Sequence, residues 1–365
     1  MIDGMTAPFA PDVSDGWLDR ALTRIGRALD SAALLGMRLA WAEVVQPAER
    51  VPARLDVTAQ PYLDPALQHE PRRFFAFLDQ QAAPGAVRLL ERRDVPHGEI
   101  AVHELESRYE PFHASDSWPC CVENARVPFE HWRHTDRPRG TVIALHGFTM
   151  GRPWIDAQVL MAAQWFALGF DVVLPILPFH GARAPRWARY SGEAFGSWDV
   201  GRLNESVRQA VHDVDMIRRW LLGEGAETVG IVGLSLGGYL TALMAGLRPD
   251  LAFAIPVAAP SSLWWLPQRL FGFGRGRAAR YPVTAAILEA AYRVHSPLTF
   301  PLAIPRERAF IVGGLGDGVV PPAQVKALWR HWGEPALHWF SGGHTTPFGR
   351  AQIMAHIERH LRAVL

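Results

Sequence analysis

Cysteine is nearly missing from these 365 residues: there are two, Cys120 and Cys121, and they are adjacent. Neighbouring cysteines rarely close a low-strain disulfide, and two thiols alone do not make a metal site. Ordinary thiols in a reducing compartment are therefore expected. Lysine is scarcer still, since Lys326 is the single one among 37 basic side chains. Nor is either charge sign in excess, with 36 acidic residues leaving a formal net charge of +1. That balance speaks against nucleic acid or an anionic lipid surface as the main partner. No stretch reaches about 18 uninterrupted apolar residues, so stable membrane insertion is not expected. The opening "MIDGMTAPFAPDVSDG" has no basic segment leading into an apolar one, so a secretory signal is not expected and a cytoplasmic location is.

Apolar residues make up 49% of the chain and charged ones 20%, which places it among ordinary globular proteins with enough length for a large core. Its two parts differ in texture. Residues 1–97 hold a helical repeat of apolar positions over 15–45, then a stretch punctuated by Pro47, Pro52, Pro61, Pro65, Pro71 and Pro84. No chemistry can be read there, and packing against the following domain, or partly covering it, is the expected role. From about residue 98 strands dominate. "EIAVHELESRY" and "NARVPFEHWRH" read as two antiparallel strands, with "HWRH" (131–134) at the exposed end of an edge strand. Apolar runs then alternate with amphipathic segments: "TVIALHG", "FDVVLPILP", "TVGIVGLS", "AFAIPVAAP", "AFIVGGLGD" and "PALHWFSGG" are the strands. Such alternation predicts an α/β fold with a mostly parallel sheet of about eight strands flanked by helices. In such sheets, reactive groups gather at the carboxyl ends of the strands. Residues 261–306 interrupt the alternation at too great a length for a plain connection and read as a helical cap inserted into the domain spanning 98–365.

"GLSLGG" (233–238) lies between the strand "TVGIV" and a helix. Glycines two residues before and after Ser235 allow a sharp strand-to-helix turn that projects the hydroxyl above the sheet. The helix starting at Leu236 aims its amide groups at the same place, which favours developing negative charge. A serine nucleophile needs a base from the same edge. His344 follows the last strand through two glycines, whereas His338 lies within that strand and His356 on the last helix. The base in turn needs a carboxylate to fix its tautomer. Asp317 follows the strand core at 309–316. The preceding strand ends in "VAAPSS" without an acid, and Glu307 and Glu334 fall at the wrong end of the sheet. Donors for an oxyanion are expected from the backbone N–H groups of Leu236 and of Phe148, which follows the strand "TVIALHG". His146, beside Phe148, reads as holding that loop by hydrogen bonds.

The motifs "LHGF", "GLSLGGY", "GDGVVP" and "GGH", in that order, resemble the α/β-hydrolase superfamily over about residues 98–365. The resemblance implies a serine hydrolase that works through an acyl-enzyme, with no metal and no organic cofactor. A carboxylic ester is the leading substrate class, with peptidase, amidase and thioesterase chemistry as alternatives and a non-catalytic binding protein as the outlying one. Residues 1–97 have no counterpart in the minimal fold. "PFHGAR" also looks like a loop of some superfamily members, in which His180 either contacts substrate or anchors the loop. Trp264 and Trp265 open the cap; two neighbours cannot both face one side of a helix, so one is expected to pack down on the sheet and the other to reach an apolar substrate site, and the expected partner is a small ester with an apolar group. Two other patterns carry less. "GFGRGR" (272–277) has neither a preceding strand nor the residues of a phosphate loop, and "HIERH" (356–360) lacks the glutamate placement of a zinc protease. Nothing in the chain fixes the oligomeric state.

Overall fold

The computed structural model of the protein describes residues 16–42, 57–80, 82–113, 122–196, 199–263 and 282–365. Nine strands form one sheet: β1 (Val87–Val95), β2 (Gly98–Glu106), β3 (Arg126–His134), β4 (Gly140–Leu145), β5 (Phe170–Pro175), β6 (Val229–Leu234), β7 (Ala254–Val257), β8 (Phe310–Gly314) and β9 (Ala336–Phe340). Their spatial order is β1-β2-β3-β5-β4-β6-β7-β8-β9. The first three pair antiparallel, β3 pairs antiparallel with β5, and the rest are parallel. Every residue of β4, β5 and β8 is buried, as strands covered on both faces must be. From β4 the chain moves to one side for β5 and then crosses to the other side for β6. That reversal opens a crevice beyond the carboxyl ends of the strands, where ligands bind in such sheets.

Among the described residues, the α-helices longer than five residues are α1 (Trp17–Ala42), α2 (Pro153–Val159), α3 (Ala162–Ala167), α4 (Val200–Gly223), α5 (Leu236–Leu247), α6 (Pro282–Arg293), α7 (Pro322–His331) and α8 (Arg350–Val364). One apolar layer joins α3 and α8 to the sheet through Trp165, Phe253, Phe310, Ile357 and Leu361. A second lies on the opposite face and includes Val207, Val211, Tyr239, Leu243, Val325 and Leu328 of α4, α5 and α7. Tyr62, Phe74, Phe75 and Leu78, all upstream of the sheet, belong to that second layer. Polar contacts fasten the same segment. The buried carboxylate of Glu205 on α4 accepts from the Tyr62 hydroxyl (2.8 Å), from the Tyr109 hydroxyl and from the Phe112 (3.0 Å) and His113 (3.2 Å) amides. Arg208, one turn later, donates to the Phe74 and Glu110 carbonyls at 2.6 Å.

Two expectations change here. β1 brings the expected sheet of about eight strands to nine, and the expected boundary at 97/98 falls inside the β1–β2 hairpin, which ties both sides into one sheet. Nor is β3 an edge strand, because it pairs with β2 on one side and β5 on the other. His131 lies between β2 and β5 with 4% exposure, not at an exposed strand end, and burial lowers its pKa to about 3. Of the region expected to form the cap, α6 is fastened onto α4 and α5. Asn204 donates to the Ala291 carbonyl (3.0 Å), His295 Nε2 meets Asn204 Oδ1 (2.9 Å), and the Tyr239 hydroxyl meets His295 Nδ1 (2.7 Å). Residues 264–281, with Trp264 and Trp265, lie outside the described residues, as do Cys120 and Cys121.

Candidate active site

Ser235 sits between β6 and α5 with φ 56° and ψ −112°, a conformation that costs a non-glycine residue free energy and persists only where its surroundings enforce it. Here its N–H donates to the Val257 carbonyl (2.9 Å) and its carbonyl accepts from Tyr239 N–H (2.8 Å). The flanking glycines are required by space. A Cβ at Gly233 would stand 2.2 Å from the Gly237 oxygen, and one at Gly237 would stand 2.0 Å from the Leu145 oxygen.

Two later strand ends converge on this serine. His344, on the turn between β9 and α8, brings Nε2 to 2.8 Å from Ser235 Oγ. Its Nδ1 lies 2.7 Å from Oδ2 of Asp317, in the loop after β8. The other Asp317 oxygen accepts from the Val319 (2.9 Å) and Val320 (2.6 Å) amides, which orients the carboxylate. An ionised carboxylate only accepts, so Nδ1 carries the ring proton and Nε2 is left to accept from the serine hydroxyl. Burial pulls the His344 pKa down, but the charge and hydrogen bond of Asp317, helped by Asp30, outweigh it and leave the imidazole above its ordinary value. Burial pushes the Asp317 carboxyl up, and the bonds from His344 and Val320 offset part of that.

Leu236 is the first residue of α5, so its N–H has no acceptor within the helix. The loop after β4 passes close by: a Cβ on Gly147 would stand 3.5 Å from Ser235 Cβ, and Phe148 is the next residue. His146 pins this loop, with Nδ1 at 2.8 Å from the Gly147 carbonyl and Nε2 accepting from Leu177 N–H at 3.1 Å. Burial holds it neutral, with a pKa of about 4. Of the two roles weighed for His180, the structure places it as the loop anchor. The ring is fully buried, edge-on to His146, Phe148 and Phe195, with Nδ1 bonded to the Pro178 carbonyl (2.8 Å), so it backs the Phe148 loop and presents no surface to a substrate. Its neighbour Arg183 is equally buried and is paired with Asp213 at 2.7 Å.

One residue at the site has no forerunner in the sequence reading. Asp30, on α1, is fully buried against the turns that carry Asp317 and His344. The apolar periodicity of α1 points away from it: Leu18, Ile25 and Leu29 are about half exposed. The inward face is the stripe Asp19, Thr23, Gly26 and Asp30, at spacings of i, i+4, i+7 and i+11. Asp19 accepts from the Ser341 hydroxyl (2.6 Å), and a Cβ on Gly26 would stand 2.1 Å from Gly343 N. That stripe of small and polar residues was the available signal. Gly26→Ala is expected to lower stability by about 1–3 kcal/mol by forcing α1 off the His344 turn, read as a lower denaturation midpoint.

Among the described residues, no group of three or more His, Cys, Asp or Glu side chains stands close enough to hold a metal ion, and no helix is long and apolar enough to cross a membrane.

Residues 138–356, which span β4 through the first two turns of α8 and include Ser235, Asp317 and His344, match the family described as serine hydrolase (FSH1). The chain belongs to that family. This serine hydrolase is 32% identical over 287 residues to the uncharacterized protein Rv2627c of Mycobacterium tuberculosis (strain ATCC 25618 / H37Rv), covering 73% of this chain and 68% of that one. Its fold is similar to that of an acetyl xylan esterase from Paenibacillus sp. R4, with a TM-score of 0.57 at 14% identity over 88% of this chain and 100% of the other. It is also similar to acetyl xylan esterase 1 from Thermoanaerobacterium sp. JW/SL YS485, with a TM-score of 0.53 at 15% identity over 87% of this chain and 99% of that one. The serine hydrolase is thus an α/β-hydrolase superfamily member with a nine-stranded sheet.

Proposed function

We propose that this serine hydrolase cleaves carboxylic esters through an acyl-enzyme on Ser235. The observation that carries the reading is the chain of contacts Ser235–His344–Asp317, at 2.8 and 2.7 Å. Ser235 Oγ attacks the ester carbonyl carbon while its proton passes to His344 Nε2, and Asp317 stabilises the imidazolium. The oxyanion that forms lies toward the N–H groups of Leu236 and Phe148, each worth about 3 kcal/mol of transition-state stabilisation by analogy with other such donors. Collapse breaks the bond to the alcohol oxygen, which takes the proton from His344. Water then repeats the sequence on the acyl-enzyme, releasing the acid and restoring Ser235. No cofactor enters these steps.

A fluorophosphonate probe is expected to label the folded protein and not the heat-denatured one. p-Nitrophenyl esters are expected to turn over much faster than the matching p-nitroanilides. Efficient anilide cleavage would move the assignment to an amidase or peptidase, and absence of both labelling and turnover would sink the catalytic reading. Within the esters, rates rising with acyl chain length would support an apolar substrate group, and a preference for short or charged acids would oppose it.

A further inference from the structure

We infer that Asp30, from the N-terminal helix α1, is a positioning residue for the base: its buried carboxylate fastens the turn carrying His344 to the turn carrying Asp317. The inference rests on the catalytic reading of Ser235, His344 and Asp317 proposed above.

The geometry is specific. Oδ2 of Asp30 accepts from the backbone N–H of His344 (2.6 Å) and of Gly318 (2.8 Å), the residue after Asp317. Oδ1 accepts from the N–H and the hydroxyl of Thr345 (3.0 and 2.9 Å). A carboxylate offers about four acceptor positions, and all four are filled here. Three of the four donors are main-chain groups of the two turns that bear the base and its acid. The turn ahead of His344 contains Gly342, at φ 116°, and Gly343. Glycines leave such a turn many alternative conformations, so its placement has to be supplied from outside it. Asp30 supplies it from more than 280 positions earlier in the chain, across a helix face where Gly26 permits backbone contact. The residues ahead of the hydrolase motifs thereby contribute to the site and do not merely cover it.

The ionisable groups facing His344 are Asp317, from the loop after β8, and Asp30, from α1, with Ser235 as its third polar neighbour. Both acids favour the imidazolium, so loss of either charge lowers the His344 pKa.

Asp30→Asn keeps the shape but replaces one oxygen by an NH2 group, which confronts two of the four donors. With p-nitrophenyl acetate, kcat is expected to fall about 10- to 100-fold at unchanged KM, the scale of a small misplacement of a reacting group. The acid limb of the kcat/KM–pH profile is expected to move to lower pH, and the His344 imidazole, titrated by NMR in the Ser235→Ala background, to move the same way. Wild-type kcat with an unmoved limb would overturn the inference. So would a loss of kcat matched by loss of folded protein with the limb unmoved. If Asp30→Asn does not yield folded protein, Thr345→Val decides, because it removes one donor and leaves the charge. A fall in kcat of about threefold or more at unchanged KM supports the inference, and wild-type kcat overturns it. Turnover that survives Ser235→Ala would overturn the catalytic reading itself, whereas the NMR titration reports on Asp30 independently of turnover.

Discussion

Ser235→Ala is expected to lower kcat for ester hydrolysis by about 10⁶-fold, the scale found when a serine nucleophile is removed from an intact triad. The expectation follows from how little else in the site can replace the hydroxyl. Among the described residues His344 Nε2 bonds to Ser235 Oγ alone, while its other nitrogen is committed to Asp317. A water recruited by His344 would lack the fixed approach that the turn between β6 and α5 imposes on Oγ. Fluorophosphonate labelling is expected to disappear in the same variant. The fold is not expected to change. Alanine keeps the Cβ at a backbone with φ 56°, so the strain at 235 is the same before and after, and the main-chain bonds to Val257 and Tyr239 do not involve the hydroxyl. A thermal midpoint near that of the unmodified protein is therefore the control. Labelling that persists in Ser235→Ala would place the reactive nucleophile at another residue.

Ser235, Asp317 and His344 were legible in the sequence for a physical reason. Each lies at or a few residues beyond the carboxyl end of a strand, and in a parallel sheet those ends share one edge. Finding three strand ends is then equivalent to finding one place in space. Strand β1 obeys no such rule. "VRLLERRDV" has neither alternation nor an apolar run, because it is an outermost arm exposed on both faces, joined to β2 by backbone bonds and exposed pairs such as Arg88–Glu104 and Arg92–Glu99. The edge reading of β3 and His131 failed for another reason: β3 pairs with β5 on the side away from β2, a long-range pairing that the local pattern of β3 does not report. Asp30 was hidden by the opposite error. Amphipathic helices are read by assuming that the apolar stripe faces inward. In α1 the inward face meets loops whose N–H groups need acceptors, so a carboxylate and a glycine are buried while Leu18, Ile25 and Leu29 stay about half exposed. Periodicity reports hydrophobic burial and is silent about unpaired donors in the partner surface.

Asp317→Asn is expected to lower kcat by about 10⁴-fold, close to the effect of the same change in other serine triads. The surroundings of Asp317 predict which way the new amide turns. Oδ1 accepts from the Val319 and Val320 amides, two fixed main-chain donors that an NH2 group cannot face. The amide oxygen of asparagine will take that position, which turns its NH2 toward His344 Nδ1. The ring must then accept at Nδ1 and carry its proton on Nε2, where it faces Ser235 Oγ and cannot receive a proton from it. The loss is one of tautomer as well as charge, so the serine should label slowly yet remain in place. The acid limb supplies a second readout. In the unmodified protein His344 must be unprotonated to act, and its pKa is raised, so kcat/KM is expected to fall as pH drops through a value above the ordinary imidazole value of about 6.5. Removing the Asp317 charge destabilises the imidazolium, and the residual activity should survive to lower pH. The displacement should exceed that of Asp30→Asn, because Asp317 holds the ring through both charge and a direct hydrogen bond, whereas Asp30 contributes charge alone. An acid limb that moves more in Asp30→Asn than in Asp317→Asn would reverse these roles and make Asp30 the principal electrostatic partner of the base.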